Sequence, residues 1–168
     1  MQSALFIGRF QPFHLGHLDV VKKILEKHER VIIAIGSAEK NFLPLDPLTS
    51  GERFQIIEES LREAKIPAEK YCIIPVVNLN NYALWVNHIN TFLPPYTHVF
   101  TGSKLVKACF KKTKNGPEIF QLKRELKISA TLVRESIMKG KKWEKLVSPA
   151  CAKLLKIWNI KDRLNDIN

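Results

Sequence analysis

The sequence lacks the features that mark membrane proteins and secreted proteins. No apolar run approaches the roughly 20 residues that a helix needs to cross a bilayer. The apolar run Ala4–Ile7 is too short for a signal peptide, and no basic region precedes it. We therefore expect a soluble, cytoplasmic protein. The chain also lacks internal repeats, low-complexity stretches and linkers, which predicts a single domain over residues 1–168.

Cysteine is scarce, and its spacing disfavours two kinds of cross-linked structure. The three cysteines, Cys72, Cys109 and Cys151, lie far apart and form no CxxC pair. An odd number without a close pair argues against a disulfide framework and against a zinc site. We interpret all three as small buried thiols.

Acidic residues are in the minority. The chain has 16 Asp and Glu against 27 Lys and Arg, which gives a formal net charge of +11. This balance suits nucleic acid, an anionic membrane surface or phosphorylated small molecules. The basic runs 104–114, 123–127 and 139–145 concentrate the charge in the C-terminal half. For any single run, a solvated lysine-rich surface is the better explanation, so the charge alone selects no partner.

The chain alternates short apolar runs with helical patterns. The runs at 5–7, 31–35, 71–77 and 98–101 predict buried strands. Helices are predicted at 16–27, 51–64 and 82–92, with a helical segment at about 142–168 and a polar loop at 111–117. Thr49 and Glu52 have the spacing of a capping box. This alternation predicts an α/β fold with a Rossmann-like, doubly wound parallel sheet.

The loop after the first predicted strand carries the strongest functional signal. Ligands of such sheets bind at the carboxyl ends of the strands, and here Gly8 leads through a stiff loop to His14, Gly16 and His17. The two histidines are three residues apart across a helix start, so their rings can face the same space. Free amides at that helix N-terminus favour a phosphate, to which both imidazoles can donate hydrogen bonds.

A metal pair is the competing interpretation of these histidines. No Cys or Glu nearby supplies a third ligand, and Asp19 is a poor candidate. We therefore expect no metal held by protein side chains alone.

A second signal lies at Ile128–Arg134. Ser129 and Thr131 can cap a helix, and Arg134 lies one turn in, from where it can turn back toward an anion. Taken alone, an ordinary capped helix with a solvated arginine explains this segment.

Together the two segments resemble the HxGH nucleotidyltransferase superfamily, whose first motif matches at 14–17 and whose distal ISxTxxR motif matches at 128–134. Within it, residues 8–14 (Gly-Arg-Phe-Gln-Pro-Phe-His) are similar to the archaeal-type nicotinamide-nucleotide adenylyltransferases. Pantetheine-phosphate and cytidylyl relatives generally carry Gly-Thr/Ser-Phe-Asp there. The resemblance extends from Ala4 to about Val147, through 35–38, 46–53, 74–76, 83–86, 94–96 and 101–102.

The resemblance implies direct in-line adenylyl transfer from ATP, with magnesium, to the 5′-phosphate of nicotinamide mononucleotide, which gives NAD and pyrophosphate. No covalent enzyme intermediate is expected, because this chemistry needs positioning and charge stabilisation rather than a nucleophilic side chain. It also implies a homo-oligomer and no membrane or nucleic-acid partner.

The resemblance also assigns residues to each substrate. The catalytic residues would be His14, His17 and Arg134. ATP would be bound by Gly8, Arg9, Phe10, Gly16, Gly102, Ile128, Ser129, Thr131 and Arg134. The acceptor would be bound by Phe10, Gln11, Ser37, Lys40, Asn78, Asn81, Tyr82 and Trp85. Trp85 would stack on the nicotinamide ring, although a core tryptophan on a helix is the alternative.

The sequence departs from the family pattern at several positions on the acceptor side. Asn78 stands where aspartate is frequent, Tyr82 where asparagine is frequent, and Asp46 and Leu48 replace the asparagine and phenylalanine of Asn-Pro-Phe. In the distal motif, Ala130 replaces a common glycine. Flavin mononucleotide or phosphopantetheine therefore remains an alternative acceptor. A basic nucleic-acid-binding module is the alternative from another class, but it lacks the expected aromatic platform.

Overall fold

The computed structural model describes residues 3–113, 116–121 and 126–167. Within them, five parallel strands form one sheet in the order β3-β2-β1-β4-β5. The strands are β1 (Ser3–Gly8), β2 (Arg30–Gly36), β3 (Tyr71–Val76), β4 (His98–Thr101) and β5 (Glu118–Gln121). The central strands β1 and β2 are almost wholly apolar and buried, because helices cover both faces of the sheet.

Helices pack on both faces of this sheet. They are α1 (Leu15–Leu25), α2 (Ser50–Glu63), α3 (Trp85–Asn90), α4 (Lys104–Lys111), α5 (Ala130–Met138), α6 (Pro149–Ile157) and α7 (Ile160–Ile167), with 3₁₀ turns at Ala68–Lys70 and Glu144–Leu146. One core cluster joins α1, α2, α5, α6 and α7 to the sheet, and a second joins α3 and α4 to its other face. The predicted doubly wound α/β fold is confirmed.

The local signals for α2 are also confirmed. The Thr49 hydroxyl accepts a hydrogen bond from the Glu52 amide at 3.1 Å, and the Glu52 carboxylate accepts one from the Thr49 amide at 2.9 Å. Ile57 and Leu61 are buried while Glu58 is exposed, as the 3.6-residue period predicts.

Three elements differ from the sequence-based prediction. Helix α3 starts at Trp85 rather than at Tyr82, because the Asn81 side chain accepts from the Ala83 amide and holds residues 81–84 in a turn. Helix α4 occupies the first basic run; its lysines are on the surface while Cys109 and Phe110 are buried. Strand β5 was not predicted, because its apolar content is only Ile119 and Phe120.

The order of the strands places a crevice between two neighbours. From β1 the chain moves through β2 to β3 on one side, and β4 and β5 lie on the other side. The loops after β1 and β4 therefore leave in different directions at a topological switch point, where such sheets bind ligands. None of the helices in the described parts of the chain is long and apolar enough to cross a membrane.

Candidate functional site at the carboxyl edge of the sheet

Two adjoining clefts open at the carboxyl ends of the strands. The first cleft, of about 350 Å³, lies over β1 and β4, and the second, of about 430 Å³, lies over β2 and β3. Gly8, Arg9 and Ser103 border both clefts, so a group in one can reach a group in the other across the end of β1. Every residue predicted to bind ATP lines the first cleft: Gly8, Arg9, Phe10, Gly16, Gly102, Ile128, Ser129, Thr131 and Arg134, together with His14 and His17.

Three helices begin at the first cleft. Their N-cap residues are His14 for α1, Ser103 for α4 and Ser129 for α5, and none of these helices has an acidic residue in its first turn. Helix α2, by contrast, carries Glu52 there. The amides and dipoles at all three N-termini thus give the first cleft a positive potential that suits a chain of phosphates.

The two histidines are held face to face in the first cleft. Their rings lie 3.6 Å apart between centroids, with 21° between the ring planes. The His14 backbone amide donates to Nδ1 of His17 at 3.3 Å, so neutral His17 carries its proton on Nε2. Phe10 and Phe13 pack against the His17 ring at 5.0 and 5.4 Å. This arrangement fixes His17 as a hydrogen-bond donor rather than as a base.

Two glycines are required by this packing. A Cβ atom on Gly16 would lie 3.1 Å from the His14 ring, and one on Gly8 would lie 3.0 Å from the Phe10 ring. Both are too close for an ordinary contact, so a side chain at either position would displace an aromatic ring of the first cleft.

Two arginines supply positive charge to the same cleft. Arg134 is buried and donates from its guanidinium to the Gln11 carbonyl at 2.7 Å. Burial and the neighbouring Arg9 charge lower the pKa of Arg134, while Asp46 and Glu135 act in the opposite direction. Arg9 lies 3.3 Å from Asp46 and is about half exposed. The cleft therefore carries more positive than negative charge, as an anionic ligand requires.

Gln11 and Phe10 lie apart from most of the other residues predicted to bind the acceptor. Both residues line the first cleft and not the second. Gln11 is 2% exposed, and its amide donates to the Leu48 carbonyl and accepts from the Leu48 amide, both at 3.0 Å. Sequence spacing cannot reveal this use of Gln11, because its partner lies 37 residues away. Gln11 holds the loop before α2 against the first cleft.

The second cleft collects most of the residues predicted to bind the acceptor. Ser37, Lys40, Asn78, Tyr82 and Trp85 line it, with the apolar side chains of Leu105, Val106 and Cys109 opposite. Asn81 does not line it, because this residue builds the turn before α3. Asn81 thus lies apart from the other residues predicted to bind the acceptor, and its role in binding stays a prediction.

Trp85 belongs both to the core and to the wall of the second cleft. Its side chain packs edge-on against Phe110 with 6.0 Å between ring centroids, and the residue is 7% exposed. Its indole Nε1–H donates to the Asn78 side-chain oxygen at 3.1 Å. The two interpretations of Trp85, core residue and cleft residue, are thus compatible.

Sequence reasoning missed the role of Arg53, which lies in α2 and is fully buried. Its guanidinium donates to backbone carbonyls in the loops behind both clefts. The capping box of Thr49 and Glu52 predicted a helix around Arg53. Nothing in the sequence showed that the Arg53 side chain turns inward.

The described residues hold no group of three or more His, Cys, Asp or Glu side chains that could bind a metal ion. Asp19 lines the first cleft and lies 2.9 Å from Lys23, and Asp46 faces Arg9. One or two carboxylates near a phosphate-binding cleft suit Mg²⁺, which keeps several waters and shares the phosphates of its nucleotide.

Comparison with known proteins agrees with this geometry. Residues 5–136 match the cytidylyltransferase-like family. The chain is 41% identical over 167 residues to the nicotinamide-nucleotide adenylyltransferase of Pyrobaculum aerophilum, covering 98% of this chain and 93% of that protein. It is 35% identical over 167 residues to the enzyme of the same name from Picrophilus torridus, covering 98% and 96%.

A solved structure supports the fold. The bifunctional NMN adenylyltransferase/ADP ribose pyrophosphatase of Francisella tularensis, complexed with AMP and a manganese ion, superimposes with a TM-score of 0.80 at 22% identity. The match covers 99% of this chain and 51% of that one, so the chain spans about half the length of this structural relative.

Proposed function

The chain belongs to the cytidylyltransferase-like family, among the nicotinamide-nucleotide adenylyltransferases, and we propose that it transfers the adenylyl group of ATP to the 5′-phosphate of nicotinamide mononucleotide. The products are NAD and pyrophosphate. The family match and the similar proteins confirm the resemblance that was predicted from the two motifs.

The observation that carries this proposal is the meeting of two clefts at Gly8 and Arg9. The first cleft has the positive helix N-termini, the stacked histidines and the buried arginine that a triphosphate needs. The second has an indole wall and a polar rim that suit a flat, cationic ring on a sugar phosphate. Two substrates in these clefts bring their phosphates together at the end of β1.

The reaction follows from this placement. An oxygen of the acceptor's 5′-phosphate forms a bond to the α-phosphorus of ATP, the bond from that phosphorus to the bridging oxygen breaks, and pyrophosphate leaves. Nε2 of His17 donates to the phosphoryl oxygens, whose charge shifts during transfer, and Arg134 with Arg9 stabilises the departing pyrophosphate. Ser129 and Thr131 at the start of α5 hold the same phosphates, and adenosine lies near Gly102.

We propose that a divalent ion, Mg²⁺ in the cell, enters with ATP. Its chemistry is to neutralise negative charge on the phosphates. Among the residues that the structure describes, Asp19 is the carboxylate that borders the first cleft and could contact a water of that ion.

A turnover assay with ATP, magnesium and a panel of acceptors tests the proposal. We expect pyrophosphate release with nicotinamide mononucleotide and NAD as the second product. Turnover only with flavin mononucleotide or phosphopantetheine would retain adenylyl transfer and contradict the acceptor. Stabilisation against heat by an oligonucleotide, with none by ATP and magnesium, would favour the nucleic-acid-binding alternative.

A further inference from the structure

Arg53 connects the backbone behind the first cleft to the backbone behind the second. It is fully buried in α2, and all its guanidinium nitrogens donate to main-chain carbonyls. One terminal nitrogen donates to the Arg9 carbonyl at 3.1 Å and to the Gly36 carbonyl at 3.0 Å. The other donates to the carbonyls of Ser37, Ala38 and Lys40 at 3.1–3.3 Å, and Nε donates to that of Thr49 at 3.2 Å.

A buried cation is costly unless its hydrogen bonds are satisfied. Burial lowers the pKa of Arg53, while the charges of Asp46 and Glu39 act to raise it. No carboxylate is within hydrogen-bonding distance of Arg53 among its described contacts, and carbonyl dipoles hold it instead. An apolar residue of the same size would leave these six carbonyls without the donor that they share, so the cation is what holds them turned toward one point.

The planar trans peptide gives these hydrogen bonds a consequence for the substrates. Where the carbonyl of a peptide points toward Arg53, the amide of the same peptide points away from it. Arg53 thus turns the carbonyl oxygens of Arg9, Gly36 and Ser37 inward, and these three residues all line the second cleft. Carbonyl oxygens that faced a phosphorylated ligand would repel it, and Arg53 prevents that.

We propose that Arg53 is a positioning residue that couples the two clefts. Its one guanidinium fixes Arg9, which lies next to the triphosphate, relative to Ser37 and Lys40, which lie next to the acceptor. This inference rests on the proposed function for the identity of the ligands. Because the two loops share one support, an ordered ligand in one cleft stiffens the loop of the other.

The experiment compares Arg53→Lys with Ser60→Ala. The lysine keeps the charge but has three donors for six acceptors. Ser60 is equally buried in α2 and bonds Ser148 at 2.7 Å, on the face away from the clefts. We expect Arg53→Lys to raise the Kd of ATP with magnesium and the Kd of nicotinamide mononucleotide, each by about tenfold or more, as a small misplacement of binding groups does. Ser60→Ala lowers the melting temperature and leaves both Kd values unchanged. Unchanged Kd values in Arg53→Lys with a lower melting temperature would overturn the proposal.

A measurement on the unaltered chain needs no variant to fold. Backbone hydrogen exchange at 37–41 is followed with ATP and magnesium alone. Exchange at 10–11 is followed with nicotinamide mononucleotide alone, because Phe10 and Gln11 line the first cleft and not the second. We expect each ligand to slow exchange in the loop that lines the other cleft. Exchange at 37–41 that stays at its ligand-free rate when ATP is bound would overturn the coupling. If ATP binds and couples but nicotinamide mononucleotide gives no turnover, the acceptor assignment fails and the role of Arg53 stands.

Discussion

The two clefts differ in how rigidly their walls are held. In the first, His14 and Arg134 are buried, and the His17 ring is packed among aromatic side chains. In the second, Tyr82 is 50% exposed and Leu105 is 49% exposed, and Lys40 lies on a surface loop. The cleft assigned to phosphate chemistry is thus preorganised, whereas the cleft assigned to the acceptor can adapt its rim. Catalysis by charge stabilisation depends on such preorganisation, while recognition of one acceptor ring tolerates more variation.

The largest effect is expected from the first cleft. His17→Ala should lower kcat by about two to three orders of magnitude, the usual effect of losing one transition-state donor, with little change in the Kd of either nucleotide. Steady-state kinetics and calorimetry measure the two quantities. Because His17 acts as a donor and not as a base, added imidazole should not restore activity by abstracting a proton.

The control for that experiment is His98→Ala, at the opposite end of β4 from the clefts. It should leave kcat unchanged. A loss in His17→Ala confined to KM would show that the histidines only bind ground-state substrate, and the contrast between the clefts would then disappear.

The next effect concerns the most rigid part of the second cleft. Trp85→Ala should weaken binding of nicotinamide mononucleotide by about 1–3 kcal/mol, the range for a lost stacking contact. It should also lower stability by about 3–5 kcal/mol, because the side chain fills space against Phe110. The ATP Kd should remain near that of the unaltered chain.

Trp143→Ala is the matched control, since Trp143 is 8% exposed and lies outside both clefts. We expect it to lose stability without losing acceptor affinity. Equal losses of affinity for ATP and acceptor in Trp85→Ala would remove Trp85 from the acceptor site. Trp85→Phe keeps an aromatic face and loses the hydrogen bond to Asn78. Its Kd for the acceptor should therefore lie between that of the unaltered chain and that of Trp85→Ala.

A smaller effect is expected behind the first cleft, where Glu52 and Arg163 brace the loop before α2. Arg163 donates to both carboxylate oxygens of Glu52 at 2.7 and 2.8 Å and to the Pro47 carbonyl at 3.3 Å. Burial alone would raise the pKa of Glu52, but the hydrogen bonds from Arg163 and Thr49 outweigh it and lower that pKa below 4.5. A carboxyl group whose pKa is lower in the folded than in the unfolded chain stabilises the fold at pH values above its unfolded pKa. This contribution is lost as the pH falls through its pKa in the folded chain.

Glu52→Gln should therefore lower the melting temperature at neutral pH by about 2–4 °C, which corresponds to roughly 1 kcal/mol in a domain of this size. The difference from the unaltered chain should shrink as the pH falls below 4.5. Glu58→Gln, on the exposed face of the same helix, should change neither value. A difference in melting temperature between Glu52→Gln and the unaltered chain that stays the same at acidic pH would contradict an ionised Glu52–Arg163 pair.

The smallest effect is expected at the rim of the second cleft. Lys40→Ala should raise the KM of nicotinamide mononucleotide by about two- to fivefold, since an exposed ion pair contributes little. The effect should shrink as salt is added, because exposed charges are screened. Lys70→Ala, at the amino-terminal end of β3, is the control. An effect of Lys40→Ala as large as that of His17→Ala would mean that the second cleft is as preorganised as the first.

Much of the fold was predictable because its signals are local. The apolar runs of β1 and β2, the period of α2 and its capping box depend on residues within one helical turn or one strand, and all are present in the structure. Strand β5 and helix α4 were missed because two apolar residues and a lysine-rich segment carry too weak a local signal.

The sequence alone determined the family, the parallel sheet and the first cleft, because His14, Gly16, His17 and Ser129 lie at the starts of helices that follow from nearby residues. The tertiary structure decided what depends on distant partners. It bonds Gln11 to Leu48, assigns Asn81 to a turn outside the second cleft, and buries Arg53 among carbonyls of loops that lie up to 44 residues away. The physical reason is that a polar side chain takes its role from the partner that satisfies its hydrogen bonds, and only the folded chain brings that partner near.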